Sequence, residues 1–140
     1  MNFLMSKKAK IVLAGIFLVG SIIGFMVKLP SAFRHYDKEL HSLFYFLAAA
    51  FLNILFANRK ITRHILIFSF LYLLGVSIEY AQAYSNKFFQ VRIHGRYDKE
   101  DVLANVKGVI AFSVLWIVYI GFTSFTKKPP KEHRVDNNKP

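Results

Sequence analysis

Four long apolar runs dominate the chain, and its polar residues gather between them and at their ends. The runs cover residues 11–27, 40–57, 65–84 and about 102–125. Each is near the roughly 17–25 residues that a helix needs to cross a hydrocarbon core. None alternates with the period of a half-buried strand, so the pattern predicts four α-helices. The expected fold class is all-α, a polytopic membrane protein built as a four-transmembrane-helix bundle. A soluble bundle of unusually apolar helices is the poorer reading, because basic residues flank the runs at both ends.

The first run follows Lys7, Lys8 and Lys10, an arrangement also found in signal peptides. It is long for such a segment, and no small-x-small pattern precedes Lys28 and Pro30, so a retained span is expected. The spans form one membrane domain, residues 1–126. Residues 127–140, with Pro129, Pro130, Asn137 and Asn138, read as a disordered, basic cytoplasmic tail.

Composition sharpens this picture. Apolar residues make up 54% of the chain, above the roughly 45–50% usual for soluble domains. Without cysteine there is no disulfide framework, thiol nucleophile or thiolate metal site. The net charge of +11 does not imply nucleic acid, since the Lys and Arg cap apolar runs instead of lining one face. Eleven of them fall on the side of the two termini and eight on the other, which favours both termini in the cytoplasm. The expected location is the bacterial cytoplasmic (inner) membrane, with the lipid bilayer as first partner.

Three polar clusters fall on the side opposite the termini: Asp37, Lys38 and His41; Glu79 and Gln82; and Arg96, Asp98, Asp101 and Asn105. Asp37 and His41 are four apart at the start of the second span and share a face. Asp37 is expected to cap that helix or to orient the imidazole. Glu79 lies about one turn inside the third span, where an acid costs roughly 2.5–3.5 kcal/mol on insertion scales unless it is paired, protonated or facing water. Gln82 follows on the same face, and the pair reads equally as an interhelical polar clamp or an active group. Asp98, Asp101, Asn105 and Gly108 are spaced to occupy one face of the fourth span. Asp98 with Asp101 resembles a capping box, and Gly108 with Ala104 and Ala111 allows close helix approach. Arg96 is positioned to pair with Asp98, Asp101 or Glu79, or to hold an anionic headgroup or phosphate with its planar donor fork.

No nucleophile elbow, phosphate loop or zinc-protease helix occurs. A metal held by His41, His94 and carboxylates is geometrically conceivable, but no paired-histidine motif supports it, so no metal or cofactor is expected. Acid–base catalysis by Glu79, His41 or Asp101 remains open.

Taken together, DKELH (37–41), IEYAQ (78–82) and GRYDKEDVLANVKG (95–108) resemble the VanZ-like family of small bacterial membrane proteins. The resemblance covers about half the chain. It implies that Asp37, Lys38 and His41 form a first motif, Glu79 and Gln82 a second, and Arg96, Asp101, Asn105 and Gly108 a third. The segment 85–94 is longer than in familiar members and lacks their proline before the arginine. It is expected to form an interfacial or re-entrant piece over the site, with Arg92 a competitor for the role of Arg96. The family takes its name from a protein associated with teicoplanin resistance. The expected function is binding or modifying a cell-envelope component, such as an anionic lipid headgroup or a lipid-linked precursor. A membrane enzyme acting on a lipid-linked or phosphate-bearing substrate, and a structural or accessory membrane subunit, are the alternatives.

Overall fold

Four helices, joined by short connections, account for nearly all of the computed structural model, which describes residues 5–27, 30–92 and 96–126. The expectations placed on Lys28, His94 and the tail 127–140 lie outside the described residues. Helix α1 spans Lys7–Met26, α2 Asp37–Leu52, α3 Ile61–Phe89 and α4 Lys99–Phe125. A 3₁₀ turn, Ser31–Tyr36, leads into α2, and a π-helical turn, Asn53–Ala57, extends it. No strand occurs among the described residues. All four helices are long and apolar enough to cross a membrane, with the π turn counted as part of the second span.

The apolar side chains left on the outside explain why a membrane is the natural solvent. Ile11, Ile16, Leu66, Leu73, Leu115 and Val118 are among many large side chains that face outward. In water such a surface would aggregate, whereas lipid tails solvate it. The inward surface is correspondingly narrow: Tyr45, Ala48, Ala49, Leu52, Leu71 and Val109 form the core.

The most extensive helix contact is between α2 and α4, and small residues permit it. At Gly108 a Cβ would fall 2.0 Å from the Ser42 carbonyl oxygen, so the two backbones approach as only glycine allows. Ala104 is buried beside it, while Ala111 is exposed and takes no part in this seam. The Ser42 hydroxyl donates to the Ala104 carbonyl at 2.7 Å, which adds a polar tie where lipid offers no competitor.

Two element boundaries differ from the sequence expectation. Helix α3 does not stop near residue 84 but continues to Phe89, so residues 85–89 extend a span instead of re-entering the bundle. At about 1.5 Å per residue, its 29 residues reach about 43 Å, beyond a hydrocarbon core of about 30 Å. Gln90, at φ 53°, ends it in a left-handed cap. At the opposite end, Asn58 and Arg59 both adopt positive φ and turn the chain from the π turn into α3. The loosened carbonyls of that turn are satisfied by cations. Lys10 Nζ donates to Leu55 O at 2.9 Å and Arg63 Nη1 to Phe56 O at 3.0 Å, as suits a helix C-terminus.

Candidate functional site

The N-termini of α2 and α4 and the C-terminal parts of α1 and α3 meet at one end of the bundle. Their polar residues converge there through an alternation that the helix period dictates. Asp37, His41 and Tyr45 are one turn apart on α2, Gly75 and Glu79 one turn apart on α3, and Asp101, Asn105 and Gly108 follow each other on one face of α4.

His41 is buried beneath Phe25 of α1, with ring centroids 4.9 Å apart. Its Nδ1 lies 2.9 Å from Asn105 Oδ1. Since that oxygen can only accept, Nδ1 carries a proton, and in the neutral imidazole the lone pair is on Nε2. Asp37 Oδ1 is 3.8 Å from Nε2, too far for a hydrogen bond. Gly75 makes room for the deeper part of the cluster. A Cβ there would fall 2.9 Å from Asn105 Nδ2 and 3.2 Å from the Tyr45 hydroxyl.

Glu79 is 3% exposed. One carboxylate oxygen, Oε2, accepts a long bond of 3.4 Å from the backbone N–H of Asp98. This resolves the capping-box expectation in an unexpected way. Asp98 is indeed the N-cap of α4, accepting from Glu100 N at 2.8 Å. The reciprocal bond to its own N–H comes from Glu79 on α3, not from Asp101 on α4. Asp101 is thereby released, and its buried Oδ1 has no hydrogen-bond partner among the described residues. Glu79 Oε1 and the Tyr45 hydroxyl are likewise buried and unpartnered. Unpaired polar atoms in a low-dielectric interior are expensive. Three converging on one end are a cost that packing alone does not explain.

Other residues singled out from the sequence stand apart from this centre. Gln82 Nε2 donates to Phe25 O at 2.7 Å, satisfying a carbonyl in the last turn of α1 and tying that helix to α3. It is a clamp and does not share a bond with Glu79. Lys38 pairs with Glu100 across the α2–α4 rim, where both side chains are exposed and the pair is worth little. Arg96 is exposed and makes no ion pair with Glu79, Asp98 or Asp101. It precedes the N-cap of α4 and stays at the rim. Arg92 is exposed as well. Asp37 does not cap α2: the 3₁₀ turn runs straight into the helix, so no free N-terminus remains, and Tyr36 holds the cap position. Asp37 instead faces His41.

Tyr45 is the residue that sequence reading missed. Its spacing four after His41, on a face already carrying Asp37 and His41, is the signal that would have found it. A second polar cluster at the opposite end was missed too. There His64 Nδ1 lies 2.7 Å from Asn53 Oδ1 and Nε2 3.0 Å from Ser113 Oγ, while Asn53 Nδ2 donates to Ala49 O at 2.7 Å. The ring of His64 stacks on Trp116 at 4.3 Å. Every side-chain hydrogen-bonding group of Asn53 and His64 thus has a partner, and the cluster reads as a packing tie between α2, α3 and α4. The contrast decides which end is the candidate site: one cluster is closed upon itself, the other has atoms to spare.

The crevice between α3 and α4 that reaches Tyr45 and Asn105 is lined by Leu71, Val102 and Val109 and is too narrow for a water molecule. Asp37, with its side chain 45% exposed, and Asp101, half-buried, are the more exposed members of the cluster. No protein-family model, curated protein or solved structure matches the chain.

Proposed function

We propose that this chain is a VanZ-like multi-pass protein of the bacterial cytoplasmic membrane that binds the polar head of a cell-envelope component at the outward end of its bundle. The observation that carries the reading is the group of three buried atoms without a hydrogen-bond partner among the described residues, Tyr45 Oη, Glu79 Oε1 and Asp101 Oδ1, at one end of the bundle. Two of the three only accept when ionised, so the complementary group is a donor, as hydroxyls and amines of a headgroup are. Arg96 and Lys99 stand exposed at the rim, where a phosphate next to such a head would meet cations. A lipid-linked precursor, with sugar hydroxyls beside phosphate, combines both features. Both termini are cytoplasmic in this reading, which the basic residues around the π turn support.

A membrane enzyme is the second reading, favoured by one specific geometry. His41 is held in a single tautomer by Asn105 with a free Nε2 next to carboxylates, the arrangement of a general base. Binding and catalysis separate in one experiment. Purified protein in nanodiscs is titrated with fluorescent envelope lipids, and wild type is compared with Glu79→Gln and Arg96→Ala. A binding role predicts at least a tenfold affinity loss in Glu79→Gln and a smaller loss in Arg96→Ala. Retained affinity in Glu79→Gln, with loss of product formation on a lipid-linked substrate, selects the enzyme. Unchanged affinity and no turnover in any form rejects both.

A further inference from the structure

Asp37, His41 and Asp101 each offer one ligand atom, and these atoms lie within 4.8 Å of one another. They come from two helices packed closely at Gly108 and Ser42, so no loop supplies a ligand atom. The first turn of a helix favours acids in any case, since the dipole compensates them. That effect accounts for Asp101, in the first turn of α4. It does not account for the orientation of Asp37 or Asp101, nor for His41 and Glu79.

Four features go beyond the dipole. Asn105 Oδ1 accepts a hydrogen bond from His41 Nδ1–H, and in the neutral ring this turns the Nε2 lone pair toward Asp37 Oδ1 at 3.8 Å. Two acceptors held face to face repel unless a positive charge sits between them. Ligand atoms bound to one ion at about 2.0–2.4 Å stand roughly 3–4 Å apart, so this gap fits a shared cation and not a hydrogen bond. Third, Asp101 Oδ1 is buried without a partner. The charged groups whose fields reach it are His41, Asp98, Asp37 and Lys38, and Lys38 is engaged by Glu100. Fourth, Glu79, 3% exposed, carries an unpartnered Oε1 at the same end of the bundle.

We propose that Asp37, His41 and Asp101 form a binding site for a divalent transition-metal cation of the zinc or manganese type, with Asn105 fixing the imidazole for coordination. One nitrogen and two carboxylate oxygens suit such an ion better than a soft one. A histidine whose second nitrogen is anchored by a hydrogen bond is the usual form of an imidazole ligand. Three protein ligands leave at least one coordination position open toward the rim, and the headgroup of the function proposed above would meet the ion there. This revises the sequence expectation of no metal, which weighed His94 and found no paired-histidine motif. The inference rests on the same polar end being a ligand site, but its test needs no lipid ligand.

Tag-free full-length protein in nanodiscs of uncharged phosphatidylcholine is stripped with chelator and titrated with Zn²⁺ by calorimetry. The expected result is one site per chain with micromolar or tighter affinity. His41→Ala and Asp101→Asn should each lower the affinity at least tenfold, and Asn105→Leu about 10–100-fold. His35→Ala, on an exposed ring, should leave it unchanged. Asp37→Asn alters a half-exposed side chain at a helix start and keeps the test valid where the buried variants do not fold; it too should lose at least tenfold. Wild-type affinity in Asp37→Asn or in folded His41→Ala overturns the proposal, as does absence of saturable binding below 100 μM Zn²⁺. Envelope-lipid binding that persists in chelator, in protein that fails this titration, overturns the metal site and leaves the headgroup reading standing.

Discussion

Gly108 and Gly75 both stand where a side chain would collide, yet what it would meet differs. At Gly108 the obstacles are backbone, Ser42 O at 2.0 Å and Phe46 N at 3.0 Å, which cannot move aside without parting α2 from α4. Gly108→Ala should therefore cost about 2–3 kcal/mol, read as a clearly lowered unfolding midpoint in detergent. Gly121→Ala, with nothing within 4 Å, should leave that midpoint unchanged. At Gly75 the obstacles are the far ends of Asn105 and Tyr45. Gly75→Ala should lower the midpoint less, but push Asn105 off His41. The imidazole ¹⁵N shifts would report this as a loss of the single tautomer. Glu79, His41 and Asn105 were legible in the sequence because an ionisable or amide group inside an apolar run breaks the pattern. Tyr45 was not, because a tyrosine counts as apolar in any such pattern and its hydroxyl matters only once the facing helices are known.

At the scale of elements, the start of α4 is capped jointly by its own Asp98 and by Glu79 of α3. Asp98→Ala should cost about 1 kcal/mol and also remove one anchor of the α3–α4 contact, visible as faster amide exchange over the first turn of α4. The four spans were readable because a bilayer imposes length and polarity on any helix that crosses it. Their rotation was not: α3 and α4 are apolar nearly all round, so no face announces itself as inward. For the same reason Gln82 was assigned to Glu79 by spacing alone, while its partner is the carbonyl of Phe25 on α1. The π turn at Asn53–Ala57 left no mark in the apolar pattern either, since inserting one residue into a helix changes no composition.

For the whole molecule, the lack of native cysteine makes orientation directly measurable. Single cysteines at Lys38 and Lys99 should react with a membrane-impermeant maleimide in intact cells, and one at Lys60 only after permeabilisation. The reverse labelling would invert the bundle and place the polar site in the cytoplasm. Charge made this orientation a fair expectation, though eleven basic residues against eight is a small asymmetry. The depth at which the site sits follows from the helix ends that build it.

Helix α1 buries a single residue, Ser21. It is held by the aromatic packing of Phe17 and Phe25 on Phe44 and Phe51 and by one hydrogen bond near each end, from Gln82 and to Leu55. The fully buried core residues come from α2, α3 and α4, with Phe17 and Phe25 of α1 packed against them. Such a helix behaves as a docked part and not as a founding member, so covalent continuity with the rest is dispensable. Two polypeptides, residues 1–29 and 30–140, produced together should reassemble into a complex that co-purifies and regains the thermal midpoint of the intact chain. The second fragment alone should still insert but expose His41 to chemical modification, because Phe25 no longer covers it. Assembly of this protein would then proceed in two stages, a three-helix nucleus first and a closing panel afterwards.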